Sequence, residues 1–272
     1  MLNFGFSQSK ADYSLFIKAT DSSFTALLVY VDDILIAIDS LDSIAALKIF
    51  LNDNFKIKDL GPLRFFLGTE VARSSKGIHI YQRKYALEIL ADSGYLGSKP
   101  VKVPMDQNLK LNKDFGLEFQ DRSSYHRLVG RLLYLTITRL DLSFAVHTLS
   151  QFMSRPITTH MAAAHKVLRY QKAAPGQGLL LAAHSSLQLV AYCDFDWASC
   201  PDTRRSVTGY CIHLGNSLVS WKSKKQTVVS RSFAETEYRS MAATCVEITW
   251  LKFFLVDFHV LHPQAAHLFC GN

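Results

Sequence analysis

Leu27-Leu28-Val29-Tyr30-Val31-Asp32-Asp33-Ile34-Leu35-Ile36-Ala37 places two adjacent carboxylates between two apolar runs. Runs rich in Leu, Val and Ile on either side of a polar pair predict a strand, an acidic tip and a returning strand. Two like charges at one tip repel each other, and a divalent cation offsets that repulsion. An acidic hairpin turn is the plainer alternative, because Asp is a favoured turn residue. The flanking sequence decides between them.

Composition sets the outer bounds. A chain of 272 residues can hold two modest domains, each with its own core. Although 49% of residues are hydrophobic, no apolar run approaches the ~20 residues of a membrane span. The Met-Leu-Asn-Phe start carries no signal-peptide pattern, so an intracellular, soluble chain without a membrane partner is expected. A net charge of +7 suits a polyanionic partner and equally suits a solvated surface. Cys193, Cys200, Cys211, Cys245 and Cys270 match neither a zinc site nor a disulfide framework, which leaves reduced thiols. His160 and His165 diverge on a helix and form no ligand pair.

Outward from the acidic tip, a helix is expected to start near Ser40, with Ile44, Leu47 and Leu51 buried. Asp59-Leu60-Gly61-Pro62 breaks that pattern. A strand over 63–71 then pairs across Ser74-Ser75-Lys76-Gly77 with Ile78-His79-Ile80-Tyr81. A helix follows from Gln82 to Ser93, stopped by Gly94. Tyr125, Leu128, Val129 and Leu132 form one helical stripe; Leu142, Ala145, Val146, Leu149 and Phe152, after a capping Asp141, form another. A third helix after Thr158-Thr159 carries His165, Lys166, Arg169 and Lys172 on its polar side and ends at Pro175-Gly176. From Leu187 the pattern turns to strands: 187–194, then 209–214 and 218–221 around Gly215-Asn216. A long helix capped by Ser232 and Glu235, with Met241, Cys245, Ile248 and Leu251 as its stripe, precedes a short strand, His267 to Cys270, before Gly271-Asn272.

Tyr30-Val31-Asp32-Asp33 resembles the Tyr-x-Asp-Asp signature of reverse transcriptases. Asp194-Phe195-Asp196-Trp197-Ala198, Arg204-Arg205-Ser206-Val207-Thr208-Gly209-Tyr210, Ser220-Trp221-Lys222-Ser223-Lys224-Lys225-Gln226 and Ala234-Glu235-Thr236-Glu237-Tyr238 resemble the ribonuclease H region of copia-type retrotransposon polyproteins. Phe66-Leu67-Gly68 with Glu70, Gln82-Arg83-Lys84-Tyr85, Pro104-Met105-Asp106, Leu128-Val129-Gly130 and Val167-Leu168-Arg169-Tyr170 follow the same family in order and spacing. The resemblance covers essentially the whole chain.

What the resemblance implies is an α+β protein. It comprises a partial reverse-transcriptase palm with its primer grip (1–81), a helical thumb-like region (82–185) and a truncated ribonuclease H-like α/β domain (186–272). Asp32 and Asp33 would be two of three polymerase carboxylates, and Asp194 and Glu237 two members of the ribonuclease H set, all as ligands of Mg²⁺ or Mn²⁺. Tyr30, Phe66, Leu67, Gly68, Arg169, Lys222, Lys224 and Lys225 would contact nucleic acid, an RNA/DNA hybrid or a primed template. The family's upstream carboxylate is not among residues 1–31, and Gly271 stands where the family has Asp. Leu140 in place of Pro, and Ala173-Ala174 in place of Gly-Thr, are milder departures. Three readings follow: a fragment of a Pol polyprotein, inactive without the remaining polyprotein segments; a non-catalytic nucleic-acid-binding remnant; and a decayed insertion without function. Residence in cytoplasmic particles or the nucleus is the family's implication.

Overall fold

Four antiparallel strands lie side by side in chain order in the first sheet: β1 (Ser7–Gln8), β2 (Leu15–Ala19), β3 (Phe24–Tyr30) and β4 (Asp33–Ile38). The computed structural model describes all residues except 21–22, 107–108, 114–115 and Asn272, and gives only the backbone of Asn3, Leu41 and Asp42. Val29 pairs with Ile34 and Leu27 with Ile36, so the period of two sends these four side chains to one face. That face packs on α1 (Leu41–Phe55), where Leu47 and Leu51 are buried beside Leu27. Ser40 caps the helix as expected, its hydroxyl accepting from the Ser43 amide at 3.4 Å. The other face of the sheet, Leu15, Ile17 and Ala26, buries itself against Phe254 and Phe258. Residues 1–63 with 245–265 form one compact unit, and 64–244 with 266–272 a second.

The second unit opens with β5 (Phe65–Phe66), β6 (Thr69–Ser74) and β7 (Gly77–Tyr81). The single strand expected over 63–71 is two strands, because Leu67 and Gly68 adopt φ of +46° and +74° and turn the chain so that Phe66 faces Thr69. Two successive left-handed residues match the right-handed twist of a tight hairpin. Helices α2 (Arg83–Asp92), α3 (Arg122–Leu135), α4 (Ser143–Ser150) and α5 (Thr158–Ala173) follow. Their apolar stripes meet in one core that includes Ile89, Leu90, Tyr125, Leu132, Val146, Leu149 and Leu168, each large side chain contributing roughly 1.5–3 kcal/mol. Strand β8 (Gly178–Ala182), which local pattern left unassigned, then closes the second sheet against β7.

Asp141 does not cap α4. It sits in a 3-10 turn, Leu140–Leu142, and α4 starts after it with no side-chain cap. Its carboxylate instead clamps Arg139, with Nε donating to Oδ1 at 2.9 Å and Nη2 to Oδ2 at 2.7 Å. Leu140 occupies the first position of that turn, where Pro also fits, so this departure from the family pattern is structurally mild.

The third sheet holds β9 (Leu189–Asp196), β10 (Val207–Leu214) and β11 (Ser217–Lys225), antiparallel in sequence, with β12 (His267–Cys270) parallel to β9. Gly215, at φ +56°, makes the expected hairpin with Asn216. Between β11 and β12 runs α6 (Phe233–Asp257). Ser232 accepts from the Glu235 amide at 3.1 Å, while the Glu235 carboxylate accepts from the Arg231 amide at 2.8 Å, one residue earlier than a capping box requires. The expected stripe holds at Ile248 and Leu251 but not at Cys245, which is exposed; towards the N-terminus the buried line runs through Thr236, Ser240 and Thr244. Small hydroxyl residues suit a helix lying close to a backbone: Ser240 Oγ donates to the Asp194 carbonyl at 2.9 Å, and Thr244 Oγ1 donates to the Ser240 carbonyl at 2.9 Å.

Candidate functional site

The acidic tip is a two-residue turn, Val31-Asp32, closed by the pairing of Tyr30 with Asp33. Tyr30, Asp32 and Asp33 are all exposed. By the alternation of β4, Asp33 and Tyr30 project to the face away from α1. Val31 adopts φ +52°, a conformation that costs a β-branched residue about 1–2 kcal/mol. A two-residue hairpin loop demands a positive φ at its first central residue, so the turn itself imposes the strain on Val31. Val31→Gly is therefore expected to raise stability by about 0.5–1 kcal/mol, the relieved strain being partly offset by the backbone freedom of Gly. Urea unfolding followed by circular dichroism measures it; a lower midpoint would show that the turn is unstrained.

Asp194, near the end of β9, and Glu237, in the second turn of α6, lie on neighbouring elements joined by the Ser240 to Asp194 bond. Cys270 faces Cys193 across the parallel pair. Burial first, and then the nearby Cys193 and the Glu237 carboxylate, push the Cys270 thiol up to about 12. One residue on, the Gly271 amide donates to the Cys193 carbonyl at 3.1 Å. A Cβ on Gly271 would lie 3.5 Å from Asp194 Oδ1, in ordinary contact. The position at which the resemblance expects Asp thus abuts Asp194 and has no side chain of its own. Asn272, which the sequence reading placed after it, lies outside the described residues.

Neither carboxylate pair fits a complete cation site. Asp32 with Asp33, and Asp194 with Glu237, supply two ligands each, and among the described residues no group of three or more His, Cys, Asp or Glu can hold a metal ion. Two-metal phosphoryl chemistry needs more charge and more ligands than a pair provides. The reverse transcriptase family generally uses divalent metals.

Among the other candidates, Phe66, Leu67 and Gly68 form the β5–β6 turn, and Tyr134 Oη donates to the Leu67 carbonyl. A Cβ at Gly68 would meet that Oη at 2.9 Å and displace it, and the φ of +74° favours glycine there independently. Arg169 is engaged internally. Its Nε donates to the Lys99 carbonyl at 2.9 Å, while its neighbours Lys166 and Lys172 bind Asp106 and the Ser98 carbonyl. The polar side of α5 ties down the 98–106 loop. By contrast Lys222 and Lys224 are exposed on β11, an edge strand, and Lys225 donates to Cys200 Sγ at 3.5 Å. Burial first, then the fields of Lys224, Lys225 and Lys222, depress the pKa of His147 on α4. The β11 lysines thus lie within electrostatic reach of α4, although alternation along the strand sends Lys222 and Lys224 to one face and Lys225 to the other. Among the described residues, no helix is long and apolar enough to cross a membrane.

Residues 1–107 match the family described as reverse transcriptase (RNA-dependent DNA polymerase). The whole chain is 39% identical over 272 residues to the retrovirus-related Pol polyprotein from transposon RE1 of Arabidopsis thaliana, of which it spans 19%. It is 43% identical over 225 residues to an uncharacterized mitochondrial protein of Arabidopsis thaliana, covering 82% of this chain and 93% of that one. Over 247 residues it is 30% identical to the putative transposon Ty5-1 protein of Saccharomyces cerevisiae, covering 90% of this chain and 80% of the other. No solved structure matches the chain. Its likeness to these relatives along nearly its full length shows that the chain belongs to the reverse transcriptase family of copia-type retrotransposon Pol polyproteins.

Proposed function

We propose that the chain is a nucleic-acid-binding segment of such a polyprotein, gripping an RNA/DNA hybrid or primed template without catalysing synthesis or cleavage by itself. In this reading 1–81 is palm and primer grip, 82–185 is thumb-like, and 186–272 is ribonuclease H-like. The observation that carries it is that, among the described residues, each acidic site gathers two carboxylates and no third ligand, with Gly271 against Asp194. The sheet order β11-β10-β9-β12 with α6 packed at Asp194 supports the ribonuclease H-like assignment. The exposed acidic hairpin tip supports the polymerase one. Tyr30, Phe66, Leu67, Gly68, Lys222, Lys224 and Lys225 are the proposed contacts, Arg169 being engaged with the 98–106 loop, and Asp32, Asp33, Asp194 and Glu237 are the remnants of the Mg²⁺ or Mn²⁺ sites.

The test is a primed RNA template labelled on both strands, incubated with the purified chain and Mg²⁺ or Mn²⁺, beside an Asp32→Asn, Asp33→Asn, Asp194→Asn triple variant. Retarded hybrid with neither extension nor cleavage is expected; product that disappears in the variant overturns the reading. Binding should weaken linearly in log salt. Converting Lys222, Lys224 and Lys225 to Gln is expected to lower that slope by about 2–3, roughly 0.9 per lost phosphate contact. An unchanged slope would remove the β11 lysines from the interface.

A further inference from the structure

Leu268 and Cys270 on β12 stand opposite Ala191 and Cys193 on β9 in a parallel register. Directly paired residues on neighbouring strands project to one face, and here it is the covered one. Ala191 and Cys193 are 0% and 4% exposed, whereas Tyr192 and Phe269, one residue along each strand, are 50% and 51% exposed. Cys211, the third cysteine on a central strand or edge of this sheet, pairs with Tyr192 and so lies on the other face. The two thiols are close enough to hydrogen-bond to each other, and all five cysteines are free.

Adjacent strands run ~4.7–4.9 Å apart, inside the ~4.4–6.8 Å Cα span that a disulfide bridges. In a parallel pair the Cβ atoms keep about the strand separation, at the long end of what a relaxed bridge accepts. A bond here therefore needs only a small adjustment and is reduced more easily than a relaxed one. Strand β12 is four residues long, lies at the edge of its sheet and pairs with β9 alone; such a segment opens locally while the rest of a fold stays closed. The plain alternative is a pair of packed thiols, the usual state of buried cysteines in a reducing compartment. Two cysteines in register, on one face, joining an edge strand to its single neighbour argue for a bond instead.

We propose that Cys193 and Cys270 form a reversible disulfide that fastens β12 to β9 under oxidising conditions and frees it on reduction. The step is thiol–disulfide exchange with a low-molecular-weight disulfide, oxidised glutathione. The more accessible Cys270 sulfur attacks it and releases one glutathione thiol. The Cys193 sulfur then attacks the mixed disulfide at the Cys270 sulfur, forms the new S–S bond and releases the second. Both protein protons pass to the departing glutathione thiolates, so two protein thiols are oxidised as one glutathione disulfide is reduced to two thiols. The inference does not depend on the nucleic-acid-binding reading.

Because burial holds the Cys270 thiol protonated, the exchange is slow and is run for hours at mildly alkaline pH. The folded full chain is incubated with oxidised or with reduced glutathione, free thiols are blocked with iodoacetamide, and unreduced digests are read by mass spectrometry. Peptides joined through Cys193 and Cys270 are expected in the oxidised sample, lost on adding dithiothreitol and absent from Cys270→Ser. Amide hydrogen exchange of Leu268 to Cys270 is expected to slow by about tenfold or more in the oxidised chain, with that of α3 and α4 unchanged. Circular dichroism checks that the chain stays folded throughout. Cys270 recovered blocked, or only as its mixed disulfide with glutathione, overturns the bond. A bond that forms without slowing exchange in β12 overturns its role as a fastener.

Discussion

Asp141→Ala is expected to destabilise the chain by about 2–4 kcal/mol, the lower part of the range for breaking a buried ion pair, because the Asp141 side chain is 24% exposed. Arg139 is among the largest fully buried side chains, its side chain 1% exposed. Nε and Nη2 donate to the two Asp141 oxygens, Nη1 donates to the Ala174 carbonyl at 3.0 Å, and the guanidinium lies over the Tyr170 ring at 5.8 Å. Without the carboxylate, a charge and two donors stay unpaired in the interior. The double variant Arg139→Met, Asp141→Ala is expected to recover most of the loss, since the penalty belongs to the stranded cation and not to the missing bond. Urea midpoints of the three variants decide this; a double variant no better than the single would place the cost in packing. Exposed pairs such as Arg239 with Glu235, 45% and 33% exposed, are worth less than about 1 kcal/mol.

The same pair gives stability a pH dependence. Burial opposes ionisation of Asp141, but the hydrogen bonds and charge of Arg139 outweigh it and hold the carboxyl below its usual value. A carboxyl with a depressed folded pKa stabilises fully above its unfolded pKa of about 3.9, and that stability disappears as pH falls through the folded value. Wild-type stability should therefore fall on acidification below about pH 4, and this part of the fall should be absent from Asp141→Ala.

Gly271→Asp is expected to create cation binding where the natural chain has little. The new carboxylate would stand beside Asp194 Oδ1, with Glu237 and its neighbour Cys270 completing the corner. Gly271 has no positive φ, so Asp costs no backbone strain there. Without metal, a third negative group should lower stability by about 1 kcal/mol, a typical like-charge cost near a surface. With Mn²⁺ at about a hundred times its dissociation constant, binding to the folded state alone should raise stability by about 2.7 kcal/mol. The sign of the effect of the substitution on the melting temperature thus reverses between chelator and Mn²⁺. A variant that melts below the natural chain under both conditions would show that Asp194, Glu237 and position 271 do not share one ion.

Much of the local structure was legible from residue pattern. Alternation around Leu27 to Ala37 yields β3 and β4, and the stripes at Tyr125-Leu128-Val129-Leu132 and Ala145-Val146-Leu149 yield α3 and α4, because periodic burial is a property of consecutive residues. Gly215-Asn216, Ser40 and Ser232 mark a turn and two caps for similarly local reasons. The motifs that place the chain in its family also lie in contiguous stretches. Tertiary structure alone decided what depends on long-range partners. Strand β8 exists because β7 offers it an edge; Asp141 turns from cap to clamp because Arg139 is buried beside it. The cations of α5 tie down a loop about 60 to 75 residues away in the chain instead of facing a ligand. The buried line in the N-terminal part of α6 runs through Thr236, Ser240 and Thr244 because close approach to β9 favours small hydroxyl side chains over the larger apolar ones that a stripe rule selects. Sequence thus determined the elements and the family, through interactions spanning a few residues, whereas the tertiary fold decided which charged side chains remain free to act, because only packing reveals their partners.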